Sequence, residues 1–98
     1  MADRTRYLLA YDITNPKRLR RVHKVAKAFG YPLQYSVFVC DPDGVELVEM
    51  RRALFEEMLV SEDSVGIFDL GPPKGRGLHC VEFVGIRREL PDDGAAVW

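Results

Sequence analysis

Asp12 ends an apolar run, Tyr7-Leu8-Leu9-Ala10-Tyr11, and a segment dense in lysine and arginine begins five residues later. A carboxylate in that position can hold a divalent cation or handle a proton. Beside a surface that binds phosphate it is repulsive, unless a cation or a proton resolves the conflict. One carboxylate is too few for a hydrolytic Mg²⁺ or Mn²⁺ site. Such ions keep several waters and take one or two carboxylates plus substrate phosphates. A symmetric dimer would supply Asp12 twice across its two-fold axis. A metal held there would polarise a phosphodiester and lower the pKa of an attacking water. The competing reading of Asp12 is a turn former that accepts from nearby backbone N–H groups.

The second group is cationic. Lys17, Arg18, Arg20, Arg21, Lys24 and Lys27 crowd residues 16–29, where no acid occurs. Helices facing only solvent usually mix signs, because opposite charges four residues apart stabilise and like charges destabilise. Lys17, Arg18, Arg20, Arg21 and Lys24 therefore read as a stripe for a phosphate backbone, positioning nucleic acid without reading its sequence. The whole chain repeats this asymmetry. Residues 1–40 hold eight Lys/Arg against two acids, and residues 41–98 hold six against thirteen, although the net charge is −1.

Ser36 and Phe38 share one side of an extended run with Gln34 and Cys40. Phe38 reads as sheet packing, and Ser36 as either packing or a site residue. Tyr11 is placed to stack a base, yet its strand pattern points to the sheet core. His23 sits at the edge of an apolar stripe and reads as boundary packing. Cys40 and Cys80 read as small buried hydrophobes, and with His23 and His79 they lack the spacing of a zinc site. Phosphate-cradling and hydrolase motifs are absent. The loop Gly71-Pro72-Pro73-Lys74-Gly75-Arg76-Gly77 offers Lys74 and Arg76 only for backbone contacts.

The elements that must position these residues follow from periodicity. Residues 4–12 alternate as a central strand, with Tyr7, Leu9 and Tyr11 on one face and Leu8, Ala10 and Asp12 on the other. Asn15 caps a helix over 16–29 that has Pro16 in its first turn and Gly30 as its stop. Residues 31–40 are extended, as one bent strand or two short ones joined near 34–36. Asp43 and Glu46 have capping-box spacing ahead of a helix over 45–59. Leu47, Met50, Leu54 and Met58 form its inner stripe, supported by Phe55 and Leu59. Strands are expected over 64–70 and 78–86. The plan is α+β, a ferredoxin-like (split βαβ) antiparallel sheet with two helices on one face. Tyr7, Leu9 and Tyr11 are expected on the bare face, covered by a second copy in a sheet-to-sheet homodimer. One domain over 1–90 and a tail over 91–98 are expected. With 47% apolar and 30% charged residues, no ~20-residue apolar span and no secretion signal, the chain is expected in the cytoplasm, away from membranes.

The run YLLAYDITNPKRLRRVHKVAKAFGYPLQYSVFVCD resembles the Cas-two family, the small CRISPR-associated subunit of spacer acquisition. The resemblance spans residues 5–86, and rests on Tyr11-Asp12-Ile13, the arginine-rich helix ending in Gly30, and Gln34-Tyr35-Ser36-Val37-Phe38. It implies a ferredoxin-like homodimer in which Asp12 of both protomers binds Mg²⁺. Arg18 and Arg21 correspond to the arginines early in the first helix, and Ser36 and Phe38 to positions near the cleft. It also implies endonuclease activity on single-stranded RNA or duplex DNA, and a complex with the CRISPR integrase. The alternatives are a non-catalytic DNA-clamping scaffold of that complex, or a toxin-like ribonuclease of the same fold. Asn15-Pro16 departs from the commoner acidic pair, and the last ten residues match poorly.

Overall fold

A computed structural model describes residues 3–86 and residue 90. Strand β1 (Arg6–Asp12) leads into helix α1 (Pro16–Phe29), and Asn15 caps the junction. Its side-chain oxygen accepts from the Lys17 and Arg18 amides at 2.9 and 3.0 Å, filling two of the donors that a helix start leaves open. The helix stops at Gly30, but not through a left-handed turn, since its φ is −149°. Glycine is needed there because a Cβ would lie 2.6 Å from the Val39 carbonyl oxygen. The chain passes too close to the neighbouring strand for any side chain.

Residues 31–40 form two strands, β2 (Tyr31–Gln34) and β3 (Val37–Cys40), joined by a turn at Tyr35 and Ser36. Pro32 is tolerated because β2 lies at the sheet edge. Helix α2 (Gly44–Glu57) begins with the expected capping box. Glu46 N–H donates to Asp43 at 2.8 Å, and Asp43 N–H donates back to Glu46 at 3.0 Å. Strand β4 (Ser64–Gly71) completes an antiparallel sheet in the order β2-β3-β1-β4.

Both long helices pack on one face of the sheet. Leu9, Tyr11, Phe38 and Cys40 from the strands meet Val22 and Ala26 of α1 and Met50 and Leu54 of α2. Tyr7 packs against this core as well, so Tyr7, Leu9 and Tyr11 face the helices, not the bare side. Alternation shows which residues share a face, but not which face the helices cover. The open side carries Leu8, Ala10 and Asp12 of β1 with Phe68 of β4, which is 54% exposed. Phe55 of α2 is exposed instead of supporting the inner stripe, and Leu59, also exposed, lies beyond the helix, which ends at Glu57 and not at 59. Phe55 lies off the arc that the sheet covers.

The expected strand over 78–86 does not form. Helix α3 (Arg76–His79) is a single turn started by Pro72, whose carbonyl accepts from the Gly75 and Gly77 amides at 3.0 and 2.9 Å. Beyond it Val84 and Ile86 are 96% and 84% exposed, and Cys80 is exposed as well. An alternating apolar run becomes a strand only where a free sheet edge receives it. This one turns away at Gly77, where a Cβ would lie 2.9 Å from the Pro72 carbonyl oxygen. The tail 91–98, like residues 87–89, lies outside the described residues.

The turn at Gly77 closes over a fully buried arginine. Arg6 Nε and Nη2 donate to the two Asp41 carboxylate oxygens at 2.7 and 2.9 Å, and Nη1 donates to the Gly77 carbonyl at 3.2 Å. The fork geometry suits a planar guanidinium, and the added carbonyl helps offset the cost of desolvating both charges.

Candidate functional site

Asp12 is exposed at the end of β1, opposite Ser64 of β4 in the ladder. Among the described residues its carboxylate has no hydrogen-bond or ion-pair partner. The turn-former reading therefore has no support in the contacts. The donor set fits a hard cation in kind, since a carboxylate and a cross-strand hydroxyl share the open face. In number it does not suffice. Among the described residues of one chain, no three His, Cys, Asp or Glu side chains come together as a metal-holding group.

Asp12 and the α1 cations do not share a side of the sheet. The pleat of β1 sends Asp12 to the open face, while α1 lies across the other. The acid is thus not embedded in the cationic surface that its sequence neighbourhood suggests. Of the stripe, Lys17, Arg20, Arg21 and Lys24 are exposed and make no ion pair among the described residues. Arg18 differs. Its Nε donates to Asp63 at 2.7 Å and its Nη2 to Glu62 at 3.0 Å, so it ties α1 to the loop before β4. The Arg18 hydrogen bond holds the Asp63 carboxyl below the usual carboxylate range, and the Leu59 amide at 2.8 Å assists. These partners lie 44 and 45 residues away, so the all-cationic composition of residues 16–29 did not reveal them.

Tyr11, Ser36 and Phe38 do gather at one end of the sheet, on the helix side. Tyr11 N–H donates to the Ser36 carbonyl at 3.1 Å, which fixes the β2–β3 turn beside β1. Phe38 is fully buried and stacks on Tyr11, with ring centroids 6.3 Å apart. Both rings belong to the core and are not part of an open cleft. Burial, with Tyr35 nearby, pushes the Tyr11 phenol up to about 12, so it stays protonated near neutral pH. Its oxygen lies 2.6 Å from His23 Nδ1 and 3.4 Å from the Tyr35 carbonyl. Burial also pushes the Cys40 thiol up to about 12, which makes it a poor nucleophile.

The residues that the sequence reading underweighted are His23, Lys27 and Tyr35. With Leu19, Arg20 and Lys24 they line an open groove of about 290 Å³ between α1 and the β2–β3 turn. Tyr35 is 76% exposed at the tip of that turn. Splitting residues 31–40 into two strands would have placed this aromatic ring on a turn. The groove combines an exposed ring with three cations, and among the described residues no acid lines it.

Comparison with known proteins agrees with this architecture. The family described as CRISPR associated protein Cas2 matches residues 5–75. The CRISPR-associated endoribonuclease Cas2 of Geobacter sulfurreducens is 44% identical over 66 residues, covering 67% of this chain and 70% of that protein. The CRISPR-associated endoribonuclease Cas2 2 of Thermodesulfovibrio yellowstonii is 36% identical over 86 residues, covering 88% of this chain and 89% of that one. The crystal structure of Streptococcus pyogenes Cas2 at pH 6.5 superposes with a TM-score of 0.71 at 32% identity, covering 82% of this chain and 99% of that chain. In sequence and in fold, this chain belongs to the Cas2 family of CRISPR associated proteins.

Proposed function

We propose that this protein is a CRISPR-associated endonuclease acting on single-stranded RNA, in which Asp12 from two copies holds Mg²⁺ or Mn²⁺. The observation that carries the reading is the exposed Asp12 carboxylate, without a partner among the described residues, on the open face of a Cas2-family sheet. The endoribonuclease names of the relatives favour RNA as substrate. The strand order and the two helices on one side support the reading of a ferredoxin-like plan. Leu8, Ala10 and exposed Phe68 give the open face an apolar surface suited to a second copy, and Asp12 lies at its margin. When bound, the metal supplies charge stabilisation at the scissile phosphate and a more acidic water. This chain's part is to present the carboxylate from a central strand and leave its oxygens unoccupied.

A second reading is favoured by the separation of Asp12 from the cations. A dimer whose basic helices hold DNA for the CRISPR integrase would use Lys17, Arg20, Arg21 and Lys24 without Asp12. One pair of measurements tests both. Asp12→Ala is expected to abolish Mg²⁺-dependent cleavage of single-stranded RNA while the dimer mass in light scattering stays unchanged. Full cleavage by that variant removes Asp12 from the catalytic assignment. Arg20→Ala with Arg21→Ala is expected to weaken duplex binding and flatten its salt dependence.

A further inference from the structure

We infer that Tyr35 and His23, with Arg20, Lys24 and Lys27, form a subsite that stacks one unpaired base of a single-stranded nucleic acid and holds its flanking phosphates. The inference rests on the nucleic-acid reading above, but it does not involve Asp12. Tyr35 projects from a two-residue turn with 76% of its surface exposed. An isolated exposed ring would need no explanation, but this one is braced. Its ring stacks on His23 at a centroid distance of 6.0 Å and an interplanar angle of 26°. His23 in turn stands edge-on to buried Phe38 at 5.4 Å, and its Nδ1 is 2.6 Å from the Tyr11 hydroxyl. One face of the Tyr35 ring is thereby supported from the core, which leaves the other available to a ligand.

The surroundings select the ligand. Arg20, Lys24 and Lys27 fall on successive turns of α1 and line the same groove, with Leu19 as its apolar wall. A ring platform between cations that are unpaired among the described residues matches an unstacked base with a phosphate on each side. A duplex does not fit this arrangement, because its bases already cover one another and present only edges in the grooves. The base face and the phosphates are common to RNA and DNA, so the subsite is expected to take either as a single strand.

The test uses the full-length protein and end-labelled 12-nucleotide single-stranded RNA, DNA of the same sequence, and a blunt duplex, with binding read by fluorescence anisotropy at two salt concentrations. Tyr35→Ala is expected to weaken single-strand binding by about 5- to 150-fold, with duplex binding and the salt slope unchanged. Tyr35→Trp is expected to retain single-strand binding. Lys24→Ala is expected to weaken both forms and reduce the slope of log affinity against log salt by about 1. If RNA and DNA lose affinity alike, the subsite reads the base face alone. A loss confined to RNA supports the subsite with RNA as its ligand. Wild-type single-strand affinity in Tyr35→Ala overturns the subsite and leaves the nucleic-acid reading standing. Failure of the wild-type protein to bind any of the three probes overturns both.

Discussion

Arg6 and Asp12 stand at opposite ends of the same face of β1, and the fold treats them in opposite ways. Arg6 is sealed beneath the turn at Gly77, with its guanidinium filled by both Asp41 oxygens and a backbone carbonyl. Asp12 is exposed and has no partner among the described residues. The first charge is spent on joining the start of β1 to the chain before α2 and to α3. The second contributes nothing visible to the fold, although it ends a central strand. A charged residue that is present but structurally idle is the better candidate for chemistry. A buried and saturated one is the better candidate for stability.

The contrast breaks most visibly at the Arg6 end. Arg6→Ala or Asp41→Ala should each lower the unfolding free energy by about 3–5 kcal/mol, because each strands the opposite charge in a dry site. Urea denaturation measures this. The double replacement Arg6→Met with Asp41→Leu should recover much of the loss, since an apolar pair of similar volume has no charge to desolvate. If either single variant is as stable as the wild type, the structural reading of Arg6 is wrong.

Asp63 sharpens the comparison as an intermediate case. It directly precedes Ser64, the cross-strand partner of Asp12, yet its oxygens are filled by Arg18 and the Leu59 amide. Its folded pKa is lowered, chiefly by the Arg18 hydrogen bond, so it contributes stability above the unfolded carboxylate value of about 3.9. That contribution is lost as the pH falls through the folded value. The urea midpoint of the wild type should therefore drop on acidification below about pH 4, and Asp63→Asn should be less stable at neutral pH with a shallower acid limb. Equal slopes in the two proteins would detach Asp63 from the acid response.

The smallest effect belongs to the Asp12 end. Asp12→Ala should change stability by no more than about 0.5 kcal/mol, the usual range for a surface substitution away from caps and pairs. Circular dichroism melts check this beside the cleavage assay. A large destabilisation would mean that Asp12 holds the strand end together, and lost cleavage could then not be assigned to chemistry.

Legibility in the sequence followed the range of the interactions. The caps at Asn15 and Asp43, the two helices and the central strand were readable because each depends on residues within a turn or two of one another. The position of Asp12 at a strand end was readable for the same reason. The strand expected over 78–86 failed because its alternation was real but no sheet edge met it. The arginine stripe is shorter than composition implies because Arg18 finds its acids across the fold. Tyr35 carries no local signal because residues 31–40 fit one strand or two, and only the pairing of β3 with β1 places a turn there.

By itself, the sequence determined the local elements, the family resemblance and the types of residue available for chemistry. Only the tertiary structure decided which face of the sheet the helices cover, and so placed Asp12 on one side and the cations with Tyr35 on the other. A period of two divides a strand into two faces without naming either, and an ion pair spanning 35 or 45 residues leaves no mark on local composition. Those choices are made by packing, which joins residues that the chain keeps far apart.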